Sequence, residues 1–172
     1  MPSFYPYLIS SLPMLHFGIK PPFSFEKFME ICKDKIPETD INFIKLTTEG
    51  YAYEWSQPTL KKWRVFDTAL RNELVKIRAS RKQVDPLKYT RGDGYIEPYI
   101  TRVAMNAYRT PSILEAEKTL DQERWRMLDE LATGHYFDLD FLITYALKLL
   151  ILERWEKISR VDKNRLLEEV LN

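Results

Sequence analysis

The side chains that most often carry catalysis are sparse in this 172-residue sequence, and none falls into a recognised catalytic spacing. A thiol nucleophile at Cys32, the single cysteine, would need an imidazole brought to it from His16 or His135, so a simply packed thiol is the expectation. One cysteine also excludes an internal disulfide and a multi-cysteine metal centre, and fits a reducing compartment. The densest polar group is His135, Asp138 and Asp140 beside Glu130, for which metal binding is the obvious chemistry. It lacks the Glu-x-x-His pairs of helical di-iron sites, and no His-x-x-x-His pair exists anywhere in the chain. The simpler reading is a helix stop followed by an acidic helix start, where Asp138 offsets the positive end of the helix dipole. The five glycines, Gly18, Gly50, Gly92, Gly94 and Gly134, form no loop that could converge amides on a phosphate, and no Gly-x-Ser-x-Gly elbow occurs. Arg91-Gly92-Asp93 matches an adhesion triplet but reads as a turn. No catalytic residue, metal ligand or cofactor is therefore expected.

Charge offers a different kind of function. Twenty-six Lys and Arg against 25 Asp and Glu leave a net charge of +1, too little for a global attraction to nucleic acid or an anionic membrane. Locally the balance is uneven. Between Thr59 and Lys82 there are eight basic and two acidic residues, whereas Ser112 to Leu131 has six acidic and three basic. Two helices of opposite charge could pair across exposed edges, where an ion pair contributes only about 0–1 kcal/mol. Alternatively, the basic end of the first, with Arg71, Lys76, Arg78, Arg81 and Lys82 as candidate interface residues, meets an acidic partner whose approach it steers. No stacking platform or helix-turn-helix pattern accompanies these charges, so nucleic acid is poorly supported.

The elements that must position these residues are helical. Hydrophobic residues at 45%, including 23 aromatics, suffice for one core, so a single helical domain over 1–172 is expected, with a possible subdivision near 83–94. The first 23 residues hold five prolines among alternating aromatic and aliphatic residues and read as extended chain laid on a core, with one short strand as an option. Ser24 is placed to cap a helix to about Lys35 that buries Phe25, Phe28, Met29 and Cys32. Residues 40–56 hold a short helical pattern at Ile41, Ile44 and Lys45, then Tyr51, Tyr53 and Trp55 with no assigned structure. From Pro58 a long helix reads through Leu60, Trp63, Phe66, Leu70, Leu74 and Ile77. Pro98 opens another with Tyr99, Ile100, Val103, Ala104 and Ala107 on one face. Thr110-Pro111 separates it from a helix to Ala132 that buries Ile113, Ala116, Leu120, Met127, Leu128 and Leu131. Leu139 to Leu152 is apolar around most of its circumference and should be central, and Asp162 is placed to cap a last short helix. Neither apolar stretch reads as a membrane span: Phe4 to Leu15 is short and broken by Pro6 and Pro13, and Phe137 to Trp155 carries five charged residues. The fold class expected is all-α, a multi-helix bundle with an extended proline-rich N-terminal segment.

Trp63-Arg64-Val65-Phe66-Asp67 and Trp125-Arg126-Met127-Leu128-Asp129 share a Trp-Arg-x-apolar-Asp pattern in long helices, as two related helical units would. More specific are Phe17-Gly18-Ile19-Lys20-Pro21-Pro22, Leu70-Arg71-Asn72-Glu73-Leu74, Glu115-Ala116-Glu117-Lys118 with Leu120-Asp121, Gly134-His135-Tyr136-Phe137-Asp138, and Tyr145-Ala146-Leu147-Lys148-Leu149. Together they resemble an uncharacterised bacterial family whose genes lie among those of the V/A-type rotary ATPase. The Leu120-Asp121, Leu128 to Leu131, Phe141-Leu142 and Leu149 to Trp155 pattern is also distantly similar to the helical repeats of the C (or d) subunit of those ATPases.

That subunit is a non-catalytic helical piece joining the central rotor shaft to the membrane ring. The resemblance thus implies a C-like or accessory subunit that couples or assembles the central stalk by protein–protein contact. It implies ion transport as the process served, no ATP site, no small-molecule substrate and no membrane insertion of its own. The place implied is the cytoplasm, peripheral to the membrane through the ATPase. The C subunit has three such helical units, more than 172 residues can hold, so a complete funnel-like role does not follow. The alternative is a free-standing regulatory or nucleic-acid-associated helical protein.

Overall fold

A computed structural model describes residues 4–49, 56–92 and 97–171, with side chains described as far as residue 162. The described residues form α-helices and one short 3-10 turn, with no strand, so the all-α expectation holds. The helices are α1 (Pro6–Ser11), α2 (Phe25–Cys32), α3 (Glu38–Lys45), α4 (Pro58–Lys82), α5 (Pro98–Arg109), α6 (Ile113–Ala132) and α7 (Leu139–Leu171), with the 3-10 turn at Pro86–Lys88. Tyr51, Tyr53, Trp55, Asp93 and Gly94 lie outside the described residues.

The chain divides into two compact units, one of residues 1–52 with 128–172, the other of residues 53–127. The 83–94 segment lies inside the second unit, and α6 passes from one to the other within its own length.

In the first unit, α7 is central. Residues 142–147 are all buried, because nearly every side chain there is apolar and the helix meets neighbours on every side. Phe28 and Cys32 of α2 and Ile44 of α3 are wholly buried with it, and the Phe28 ring lies 5.3 Å from that of Tyr145. Ser24 caps α2 as its position suggested, accepting from the Lys27 amide at 3.1 Å, while the Glu153 side chain accepts from the Phe25 amide at 3.0 Å. The proline-rich start is pinned to this core by side-chain bonds. Tyr145 donates its hydroxyl to the Pro13 carbonyl at 2.9 Å, and Tyr5 donates to Asp40 at 2.5 Å. Its course is not extended throughout: Pro6, with φ preset for a first helical turn, opens α1, and the segment from Leu12 to Ser24 is irregular. Among the described residues of the first unit, an antiparallel bridge joins Phe4 and Asp138.

Two further expectations are corrected. Asp162 does not cap a separate helix; α7 runs unbroken to Leu171, since no glycine or proline interrupts it and Glu, Arg and Lys favour continuation. Ile113 is exposed, because Ser112 caps α6 and leaves Ile113 at the first turn, ahead of the face that buries Leu120, Trp125 and Leu128.

In the second unit, Leu60, Trp63, Phe66 and Leu70 of α4 are buried, as are Ile100, Val103, Ala104 and Ala107 of α5, on the faces their spacing indicated. Gln57 caps α4 through its side chain, which accepts from the Leu60 amide at 2.7 Å. The helix ends in a left-handed residue, Gln83 (φ 54°), where the Val84 amide folds back to the Ala79 carbonyl at 3.1 Å.

Candidate docking interface

The basic residues of α4 sort into two groups. Arg71 is held by Asp67 at 2.7 Å and Lys76 by Glu73 at 2.6 Å, so both are engaged within their own helix. Arg78, Arg81 and Lys82 are exposed and have no ion pair to any described residue. Their spacing of three and four residues puts them on one face of the last two turns. Arg81 and Lys82 also sit where the carbonyl end of the helix dipole favours cations, which accounts for part of their placement. Beyond the turn, Val84, Leu87 and Tyr89 expose apolar surface, and Lys88 adds a further cation. The structure therefore narrows the five candidates to three available cations beside an apolar rim.

The expected pairing of a basic α4 with an acidic α6 takes an inverted form. The buried link joins an acidic residue of the basic helix to a basic residue of the acidic one: Arg124 donates to Asp67 at 2.8 Å and to Asp121 at 2.8 Å. Burial works against the charged guanidinium, but the two carboxylates outweigh it and hold its pKa above the usual arginine value. The Tyr99 hydroxyl donates to Glu123, and Arg126, bonded to the same carboxylate at 3.0 Å, lies 4.7 Å over the Tyr99 ring. Burial and Glu123 together raise the Tyr99 hydroxyl above its ordinary pKa.

Asn72, within the Leu70 to Leu74 motif, has a role that sequence reading missed. It is buried, donates from Nδ2 to the Arg91 carbonyl at 2.6 Å and accepts the Arg91 amide at 3.0 Å, clamping the chain just before Gly92. Glu73 beside it accepts from Thr101 of α5 at 2.9 Å. A polar pair flanked by Leu70 and Leu74 in a long amphipathic helix was the available signal. The Trp-Arg-x-apolar-Asp echo does not place its aspartates alike: Asp67 is buried on Arg124, whereas Asp129 is exposed and accepts from Lys148 at 2.5 Å.

At the α6–α7 corner the ligand-type atoms of His135, Asp138 and Asp140 lie within 4.8 Å of one another. Their bonds are those of a helix junction, as the sequence suggested. Gly134 (φ 86°) terminates α6, and Asp138 caps α7 by accepting the Phe141 amide at 3.1 Å. The other Asp138 oxygen is 2.6 Å from His135 Nδ1, so of the three partly exposed groups Asp138 is already engaged in a cap and His135 in a bond to it. Cys32 is wholly buried, and burial pushes its thiol up to about 11, with Lys35 opposing weakly. A thiol held protonated is the opposite of an activated nucleophile.

Residues 98–172, from α5 to α7, match a family described as "Protein of unknown function (DUF2764)". That segment is less than half of the chain, and it contains three of the five motif segments named above, from Glu115, Gly134 and Tyr145 onward. No curated protein and no solved structure matches. No described helix is long and apolar enough to cross a membrane.

Proposed function

We propose that this protein is a non-catalytic docking subunit, a C-like or accessory part of a V/A-type rotary ATPase that couples or assembles the central stalk through protein–protein contact. The observation that carries the docking part is the face formed by Arg78, Arg81 and Lys82, exposed and without ion pairs among the described residues, beside exposed Val84, Leu87 and Tyr89. Cations around an apolar patch suit an acidic protein surface, where charge raises the rate of encounter and the apolar contact holds the complex. The partner is supplied by the motif resemblance, which runs from Ser11-Leu12-Pro13 to Leu152-Glu153-Arg154-Trp155. The family description leaves function open. A peripheral position on the cytoplasmic side of the membrane, reached through the ATPase, follows from the same reading.

Charge reversal tests it. The triple variant Arg78→Glu, Arg81→Glu, Lys82→Glu changes only exposed side chains, so it should fold and lose binding to purified ATPase stalk subunits. Unchanged binding would sink the interface assignment. A salt-dependent shift of DNA or RNA by the wild type, lost in the same variant, would favour a nucleic-acid-associated protein instead.

A further inference from the structure

We infer that the α6–α7 corner of the first unit is a second docking surface, which grips an arginine- or lysine-bearing segment of a protein partner. Its polar groups have structural explanations, since Gly134 and Asp138 make the junction. Its aromatic groups do not. Tyr136 is 68% exposed, Phe137 44% and Phe4 65%, and the backbone bridge from Phe4 to Asp138 brings together the stretches of backbone that bear these rings. They add little to the core, yet their backbone is fixed on both sides. The Tyr5 amide donates to the Phe137 carbonyl at 2.6 Å and the Phe141 amide to Asp138 at 3.1 Å. Exposed aromatic rings on a preordered backbone are the usual composition of a binding hot spot, because little conformational freedom remains to be lost on association.

The charge around the rings selects the occupant. Residues 129–140 contain four carboxylates, Asp129, Glu130, Asp138 and Asp140, and no lysine or arginine, and with Lys148 of α7 bonded to Asp129 at 2.5 Å the balance stays acidic. That sign repels phosphate, so nucleic acid and anionic lipid are the wrong partners for this corner. Carboxylates beside aromatic faces suit guanidinium and ammonium groups, which bond the former and stack on the latter. The protein uses the same chemistry internally, where Arg126 is held by Glu123 while lying over the Tyr99 ring. Gly134-His135-Tyr136-Phe137-Asp138 lies within the family match, so this corner belongs to the segment that match covers.

The probe is a labelled synthetic amphipathic helix with arginine on one face and leucine on the other, titrated into the full chain and read by fluorescence anisotropy. Saturable binding is expected, weakened at least roughly tenfold by Tyr136→Ala with Phe137→Ala, as for the loss of a hot spot. Asp140→Asn, a milder change, should weaken it several-fold, whereas the Arg78, Arg81, Lys82 reversal should leave it intact, which separates this surface from the one proposed above. A counterpart peptide with glutamate in place of arginine should not bind. The inference is overturned if the arginine peptide fails to saturate, or if it binds the aromatic double variant as well as the wild type while circular dichroism shows that variant folded. Concentration-dependent dimerisation of the wild type, abolished by the same double substitution, would also overturn it by making a second copy the occupant.

Discussion

Replacing Arg124 by methionine should be among the most destabilising single changes in the second unit. The guanidinium is 11% exposed and bonds two carboxylates at 2.8 Å, one of them, Asp121, only 2% exposed. Methionine fills a similar volume but leaves both carboxylates without their shared cation. Asp67 keeps Arg71 at 2.7 Å, but Arg71 is largely solvated and screens it weakly. Removing one partner from a buried ion group costs about 3–5 kcal/mol, a large part of the roughly 5–15 kcal/mol that holds a domain folded. With a urea dependence of about 2 kcal/mol per molar, the midpoint should fall by roughly 2 M. Trp63 and Trp125 are both buried in this unit, so tryptophan fluorescence during urea unfolding follows it, with Trp155 adding a signal from the first unit. Arg160→Ala, which removes an exposed pair with Glu156, is the comparison and should change stability by about 0.5 kcal/mol or less. A loss of under about 1 kcal/mol for Arg124→Met would refute the argument that this buried group, and not only apolar packing, holds α4 to α6.

Other consequences are open to simpler assays. Cys32 should react with a disulfide reagent only on unfolding, because its thiol is buried and protonated. Its folded pKa of about 11 lies above its ordinary 9.0, so the stabilisation from the neutral thiol is complete below pH 9 and lost as pH rises toward 11, when native-state labelling should begin. Asn72→Ala should cost about 1–3 kcal/mol and speed tryptic cleavage at Arg91, since it removes both bonds that clamp that residue. Gln83→Gly should raise the melting temperature by relieving a left-handed residue at the end of α4, a gain of up to about 1 kcal/mol. If it lowers stability, the side chain of Gln83 has a role beyond ending the helix.

Periodicity made the helices legible: the buried faces of α4 and α5 are the ones that apolar residues at three- and four-residue spacing indicated, and Ser24 and Asp138 cap the helices they precede. The misjudged places were those where local signals compete. An aspartate such as Asp162 looks like a cap from its residue type, but with good helix formers on both sides it stays inside α7. Pro6 marks either extended chain or the first turn of a helix, and only packing decides which. The charge of α4 was plain in the sequence, but its availability was not. Whether Arg71 and Lys76 are engaged depends on where Asp67 and Glu73 point, and the Arg124 cluster joins residues 57 positions apart. The exposed ring of Phe137 likewise read in the sequence as the start of the apolar stretch that runs to Trp155.

The measurement that bears most directly on the central claim is recovery from the membrane fraction of the native host with tagged full-length protein, run for the wild type and for the Arg78, Arg81, Lys82 reversal at low and moderate salt. The docking account expects ATPase stalk subunits in stoichiometric amounts with the wild type and their loss with the reversal. Recovery of no ATPase subunit by intact, folded wild-type protein would contradict it.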